Sequence, residues 1–253
     1  MSNQCWQPER YRRCASYVPE LGRGLIELLD PVRGDRILDL GCGDGELTMG
    51  LAARGCRVIG VDRSAAFVAA ARRRGVAARV VDARRLAQAG LAAGSFDGVF
   101  SNAVLHWILE PAPVIAGVRR LLRAGGCFVA ELGGAGNIAT VHDALRAACR
   151  RRGLDPAVRD PWYFPTAQSY RALLEGGGFA VTSIRLFERP TPIPGTLAEW
   201  LDLFAGAWRA GLDRCTWNEI AAEVSASAAP LLRDAADAWT VDYVRLRVRA
   251  VAV

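Results

Sequence analysis

The chain has no lysine: all 32 of its basic residues are arginine. A P-loop is thereby excluded, because its glycine run must close on Gly-Lys-Ser/Thr to reach the phosphates. Histidine is scarce too, with only His106 and His142, well separated in sequence. A metal would have to recruit scattered carboxylates, and none is expected. Seven cysteines, an odd number with no C-x-x-C, indicate neither a disulfide framework nor a zinc site. No run of about 18 apolar residues occurs, so no membrane-spanning helix is expected. The opening Met1-Ser2-Asn3-Gln4-Cys5-Trp6 lacks the basic-then-apolar order of a signal peptide, and a soluble cytoplasmic protein is the expectation.

What is present can build a full core: 253 residues, 51% hydrophobic and 23% charged, suit one α/β domain over 1–253 with an insertion. The formal charge of +6 includes the triplets Arg72-Arg73-Arg74 and Arg150-Arg151-Arg152. Both close alanine-rich helical segments, where cations favour the helix C-terminus. Without an aromatic-interleaved basic strand or zinc spacing, no nucleic-acid partner is expected.

The chain is organised around Ile37-Leu38-Asp39-Leu40-Gly41-Cys42-Gly43-Asp44-Gly45-Glu46. A short strand runs into three alternate glycines and then a helical segment, the pattern of a cofactor loop. A dinucleotide fingerprint would need glycine where Glu46 stands, whose carboxylate opposes phosphate. The acids Asp39, Asp44 and Glu46 suit instead a ligand with cationic character. Leu38 to Gly45 resembles the first motif of class I S-adenosylmethionine-dependent methyltransferases. That resemblance implies S-adenosylmethionine as cofactor, with Asp39, Gly41, Cys42 and Gly43 lying against its methionine part.

The next strand, Arg57 to Asp62, ends in an acid placed to accept hydrogen bonds from both ribose hydroxyls, with Arg63 beside it. Ser64 is the expected cap of the following helix. The strand Ala78 to Val81 also ends in an aspartate. In the methyltransferase pattern Asp82 accepts from the adenine amino group and the Ala83 amide bonds the ring. The fourth strand closes at Asn102, and the loop to Trp107 is expected at the cofactor's reactive end. There His106 is the candidate catalytic residue, as base or as hydrogen-bond donor, and Trp107 a pocket wall. Ahead of the first strand, the apolar spacing of Glu20 to Leu29 predicts a helix, and Tyr17 is a candidate cofactor contact by analogy with related enzymes.

The expected fold is a doubly wound, seven-stranded, mostly parallel sheet with an antiparallel last strand. Residues 31–132 form the cofactor core, and 133–178 and 190–238 are substrate-side helical segments. The aromatic run Pro161-Trp162-Tyr163-Phe164 suggests a pocket wall, which makes Trp162 and Tyr163 substrate candidates. Thr166 caps the next helix. Strands Phe179 to Arg189 and Trp239 to Val251 form an antiparallel pair. Between them, the helical spacing of Leu197, Trp200, Leu201, Phe204 and Trp208 predicts a lid bearing Trp200, or else a dimer surface. Beyond the cofactor core, the chain resembles the small-molecule methyltransferases of the trans-aconitate and juvenile-hormone-acid type. These imply carboxylate methylation; the expectation is an organic-acid acceptor, a carboxylate or hydroxyl oxygen as the methylated atom, and a monomer or homodimer. N- or C-methylation and a macromolecular acceptor are the alternatives, although no Asn-Pro-Pro-Tyr type motif follows the fourth strand.

Overall fold

The structure, a computed structural model, describes residues 6–253. Met1 to Cys5, on which the signal-peptide expectation rests, lie outside the described residues. Three short helices, α1 (Pro8–Cys14), α2 (Tyr17–Gly22) and α3 (Gly24–Leu29), lead in. The single helix expected over 20–29 is broken into two at Arg23. The chain then alternates β1 (Arg36–Leu40), α4 (Glu46–Ala53), β2 (Arg57–Asp62), α5 (Ala65–Arg73), β3 (Ala78–Val80) and β4 (Phe96–Asn102). Ser64 caps α5, its hydroxyl accepting from the Phe67 amide. Helix α6 (Ala112–Leu121) passes into β5 (Leu122–Gly133).

With β6 spanning Phe179–Glu188 and β9 spanning Val244–Ala252, the sheet order is β3-β2-β1-β4-β5-β9-β6. Strands β1 to β5 are mutually parallel because each returns to the same edge through a helical crossover, and the central β1 and β4 are buried on both faces. Strand β9 inserts antiparallel between β5 and β6. The seven-stranded α/β fold is thus as expected, with one difference at its end. The run Trp239 to Val251 is not one strand: β8 (Trp239–Val241) pairs with β7 (Thr191–Ile193) in a separate ribbon.

Helices α7 (Ala139–Arg151), α8 (Pro156–Arg159) and α9 (Ala167–Gly176, capped by Thr166) follow β5. Between the two ribbon strands come α10 (Leu197–Phe204), α11 (Gly206–Arg209) and α12 (Arg214–Leu232). One core packs α6 and α9 on the sheet through Val118, Leu121, Phe128 and Leu174. A second, around Leu145, Trp208, Trp217 and Val224, joins α7 to α10–α12. No described helix is long and apolar enough to cross a membrane.

Candidate active site

The carboxyl ends of β1, β2 and β4 open into a cavity of about 330 Å³. Gly41 and Gly43, at φ +79° and +54°, carry the turn from β1 to α4. At Gly41 a side chain is also sterically excluded, since its Cβ would lie 2.1 Å from Val104. At Gly43 nothing stands within 4 Å, so the backbone faces open space. Cys42 turns its thiol inward against Gly60, and burial pushes that thiol up.

Asp39 is buried beneath this loop, where Thr48 donates to its Oδ2 at 2.5 Å. Burial dominates over that hydrogen bond and pushes its carboxyl up to about 7. Asp62 accepts from the Gly43 amide at 3.1 Å and the Ser64 amide at 2.8 Å, and burial still raises its carboxyl. Asp82 is held by Arg84, whose Nη2 lies 2.5 Å from Oδ2, and that hydrogen bond keeps its carboxyl low. Arg63, Ala83 and Asn102 complete this side of the cavity, with Asn102 donating to the Val18 carbonyl.

The acidic rim is corrected by its neighbours. Asp44 pairs with Arg12 and Arg74, at 3.2 and 3.3 Å, while Glu46 lies 3.8 Å from Arg23. Arg12 of α1 and Arg74 just past α5 thus offset Asp44, Arg23 between α2 and α3 offsets Glu46, and the loop's negative character rests on Asp39 below it.

At the other end, the helical turn Leu105–Trp107 places His106 and Trp107 in the wall. The Gly133 amide donates to His106 Nδ1 at 3.2 Å, which puts the proton of the neutral ring on Nε2. Burial, then Arg245, holds its pKa well below the ordinary value. His106 therefore presents a hydrogen-bond donor, and the base alternative is not supported: the lone pair it would use is already engaged. Tyr17, Trp162 and Trp200 also line the cavity. Tyr17 Oη lies 2.9 Å from Tyr243 Oη, to which Trp200 Nε1 donates at 2.8 Å.

Tyr163 does not reach the cavity. Between α8 and α9 alternate side chains turn to opposite sides, so Trp162 and Phe164 face it while Tyr163 packs on the main core. Its amide donates to the His106 carbonyl at 2.9 Å.

Sequence reasoning missed the most charged part of this wall. Glu131 on β5 is fully buried and takes three arginines: Arg189 at 2.6 Å, Arg245 at 3.3 Å and Arg247 at 2.7 Å. Burial alone would raise its carboxyl, but the three cations together hold it low. Three positive charges against one leave two in surplus, and Arg189 and Arg245 line the cavity. Arg189 Nε is buried with no hydrogen-bond partner, and among the described residues no acceptor takes Nη1 or Nη2 of Arg245. A signal did exist: a lone glutamate inside the apolar strand run Cys127 to Leu132 must find cations, and Arg245 and Arg247 share one face of β9.

A family model described as a methyltransferase domain matches residues 38–130. An uncharacterized methyltransferase of Schizosaccharomyces pombe is 36% identical, covering 98% of each chain. Trans-aconitate 2-methyltransferase of a Mycobacterium species (strain KMS) is 33% identical over 70% of each. Among solved structures, a phosphoethanolamine N-methyltransferase of Haemonchus contortus, bound to phosphomonomethylethanolamine and S-adenosylhomocysteine, matches with a TM-score of 0.59. It covers 97% of this chain and 56% of its own, at 17% identity.

Proposed function

The chain belongs to the S-adenosylmethionine-dependent methyltransferases, and from that premise we propose that it methylates a carboxylate oxygen of a small organic acid. The residues present suit the cofactor: open space over Gly43, a glycine-only turn at Gly41, and carboxylates ending β1 and β2. We assign Asp39, Cys42 and the loop amides to its methionine part, Asp62 and Arg63 to the ribose, and Asp82 and Ala83 to the adenine. Asn102 and Tyr17 flank its reactive end. Bound there, S-adenosylmethionine supplies a methyl group on a positively charged sulfur, which an acceptor lone pair takes as the sulfur keeps the bonding electrons.

The chain's own residues then have two tasks, to orient the acceptor and to exclude water. Orientation in a near-attack geometry can supply several kcal/mol, up to roughly 7–11 in ideal cases. Arg189 and Arg245 are the orienting pair, since a guanidinium fork matches a carboxylate. Trp107, Trp162 and Trp200 form the water-excluding wall. His106 donates from Nε2 to an acceptor oxygen. Residues 31–132 are assigned to the cofactor and 133–178 and 190–238 to the acceptor side, with α10–α12 as its cover.

The observation that carries the reading is a pair of arginines at an acceptor end where, among the described residues, no ready base stands. His106 is committed as a donor, and burial raises Tyr11, Tyr17 and Tyr243. A carboxylate reaches the site already ionised and loses no proton; an alcohol or phenol would need one removed. The trans-aconitate relatives direct the first guess the same way. The test is a screen of acids, phenols and amines by S-adenosylhomocysteine release, with mass spectrometry of the product. A methyl ester that mild alkali cleaves is expected; a base-stable ether or N-methyl product would overturn the assignment.

A further inference from the structure

We infer that the acceptor is an acid with a single carboxylate and a flat, apolar, ring-bearing body, not a polycarboxylate. The inference rests on the carboxylate reading above and narrows it. Among the described residues, cationic groups lining the acceptor side are confined to Arg189 and Arg245, both anchored on Glu131. The other arginines of the lining stand at the opposite end, Arg63 next to Asp62 and Arg84 tied to Asp82. The surplus charge sits on this one Glu131-anchored pair, so a second carboxylate reaching away from it would be desolvated without a cation, or would meet the acids beneath the cofactor loop.

Aromatic faces fill the space between. Trp107 and Phe204 lie nearly parallel, at 18° with centroids 6.4 Å apart, and Trp162 and Phe164 likewise at 14° and 6.0 Å. All four line the cavity. This wall adjoins the arginine end. The His106 ring lies 5.3 Å from Trp107 and 6.2 Å from Phe164, and its Nδ1 accepts from Gly133, the β5 residue paired with Arg245. On the other flank, Trp200 bonds to Tyr243, two residues before Arg245. A planar apolar body against these rings gains burial and offset stacking, which a hydrated polyanion would forfeit.

The test is calorimetric binding to the full chain saturated with S-adenosylhomocysteine, using trans-cinnamate, its neutral amide trans-cinnamamide, and the tricarboxylate tricarballylate. Cinnamate is expected to bind about tenfold or more tighter than either of the others. Arg189→Gln should bring acid and amide within about threefold of one another, and Arg189→Lys should restore part of the difference. Trp107→Leu should weaken acid and amide alike. Unchanged affinity for S-adenosylhomocysteine in each variant shows that the fold and cofactor site persist.

Equal binding of acid and amide, tighter binding of tricarballylate, or an acid preference that survives Arg189→Gln would overturn the inference and leave methyl transfer standing. Failure of the wild-type chain to bind S-adenosylhomocysteine would remove both.

Discussion

Asp39 carries a proton that its ordinary pKa of about 3.9 would deny it at pH 6. With burial raising it to about 7, the folded chain holds that proton between the two values while the unfolded chain has lost it. Its contribution to stability therefore falls as pH rises from about 4 to 7 and is level above. A cationic ligand beside Asp39 favours the ionised form. Affinity for S-adenosylmethionine should thus rise with pH up to about 7, by at most about tenfold per unit, then flatten. Asp39→Asn should abolish the slope; calorimetry between pH 5.5 and 7.5 that finds it intact would reject the assignment.

His106 leads to a second expectation. As a neutral donor it adds no ionisation, so kcat at saturating cofactor should not vary between about pH 6 and 9, and His106→Gln should lower kcat without changing that shape. A limb near pH 6.5 that disappears in the variant would restore the base. The strand-end acids were legible in the sequence because each closes its own apolar run. Glu131 carried a signal as a lone acid in an apolar strand, but its pairing with Arg189 and Arg245 did not, because they lie far from it in a sequence with 32 arginines. The neutralised rim was missed for the same reason: Arg12 reaches Asp44 from α1 and Arg74 from just past the end of α5.

Among the elements, α10 shows how a local rule positions a functional wall. Thr196 accepts from the Glu199 amide at 3.3 Å, and the Glu199 carboxylate accepts in return from the Thr196 amide at 2.9 Å, closing a capping box. Trp200 and Phe204 project from this helix into the cavity wall. Thr196→Ala should cost about 1 kcal/mol in urea unfolding and raise the acceptor KM more than it lowers kcat. Stability within about 0.3 kcal/mol of wild type would show that the cap holds nothing in place. The helix itself was legible from its apolar spacing. The break between β8 and β9 was not, since Trp239 to Val251 is uniformly strand-like and only the pairing of β8 with β7 divides it. Tyr163 was misassigned because density of aromatics says nothing about which side each ring faces.

For the whole molecule, the sheet order brings the two halves of the chemistry together. Strands β1, β2 and β4 present the glycine loop and its acids, while β5 presents Glu131, β9 presents Arg245 and Arg247, and the end of β6 leads into Arg189. The side-by-side placement of β4 and β5 puts Asn102 directly across from Glu131. The first half was readable because parallel strands end in register along one edge. The second depends on β9 inserting between β5 and β6, which the alternation of the two strands predicts only as an antiparallel pair and not as an insertion.

The most direct measurement is a calorimetric titration of S-adenosylmethionine into the wild-type chain and Asp62→Ala, with circular dichroism to confirm the fold. Loss of two charge-assisted hydrogen bonds should weaken binding by at least about 2 kcal/mol, or roughly 30-fold. A wild-type chain that does not bind, or an Asp62→Ala variant that binds as well, would contradict the account.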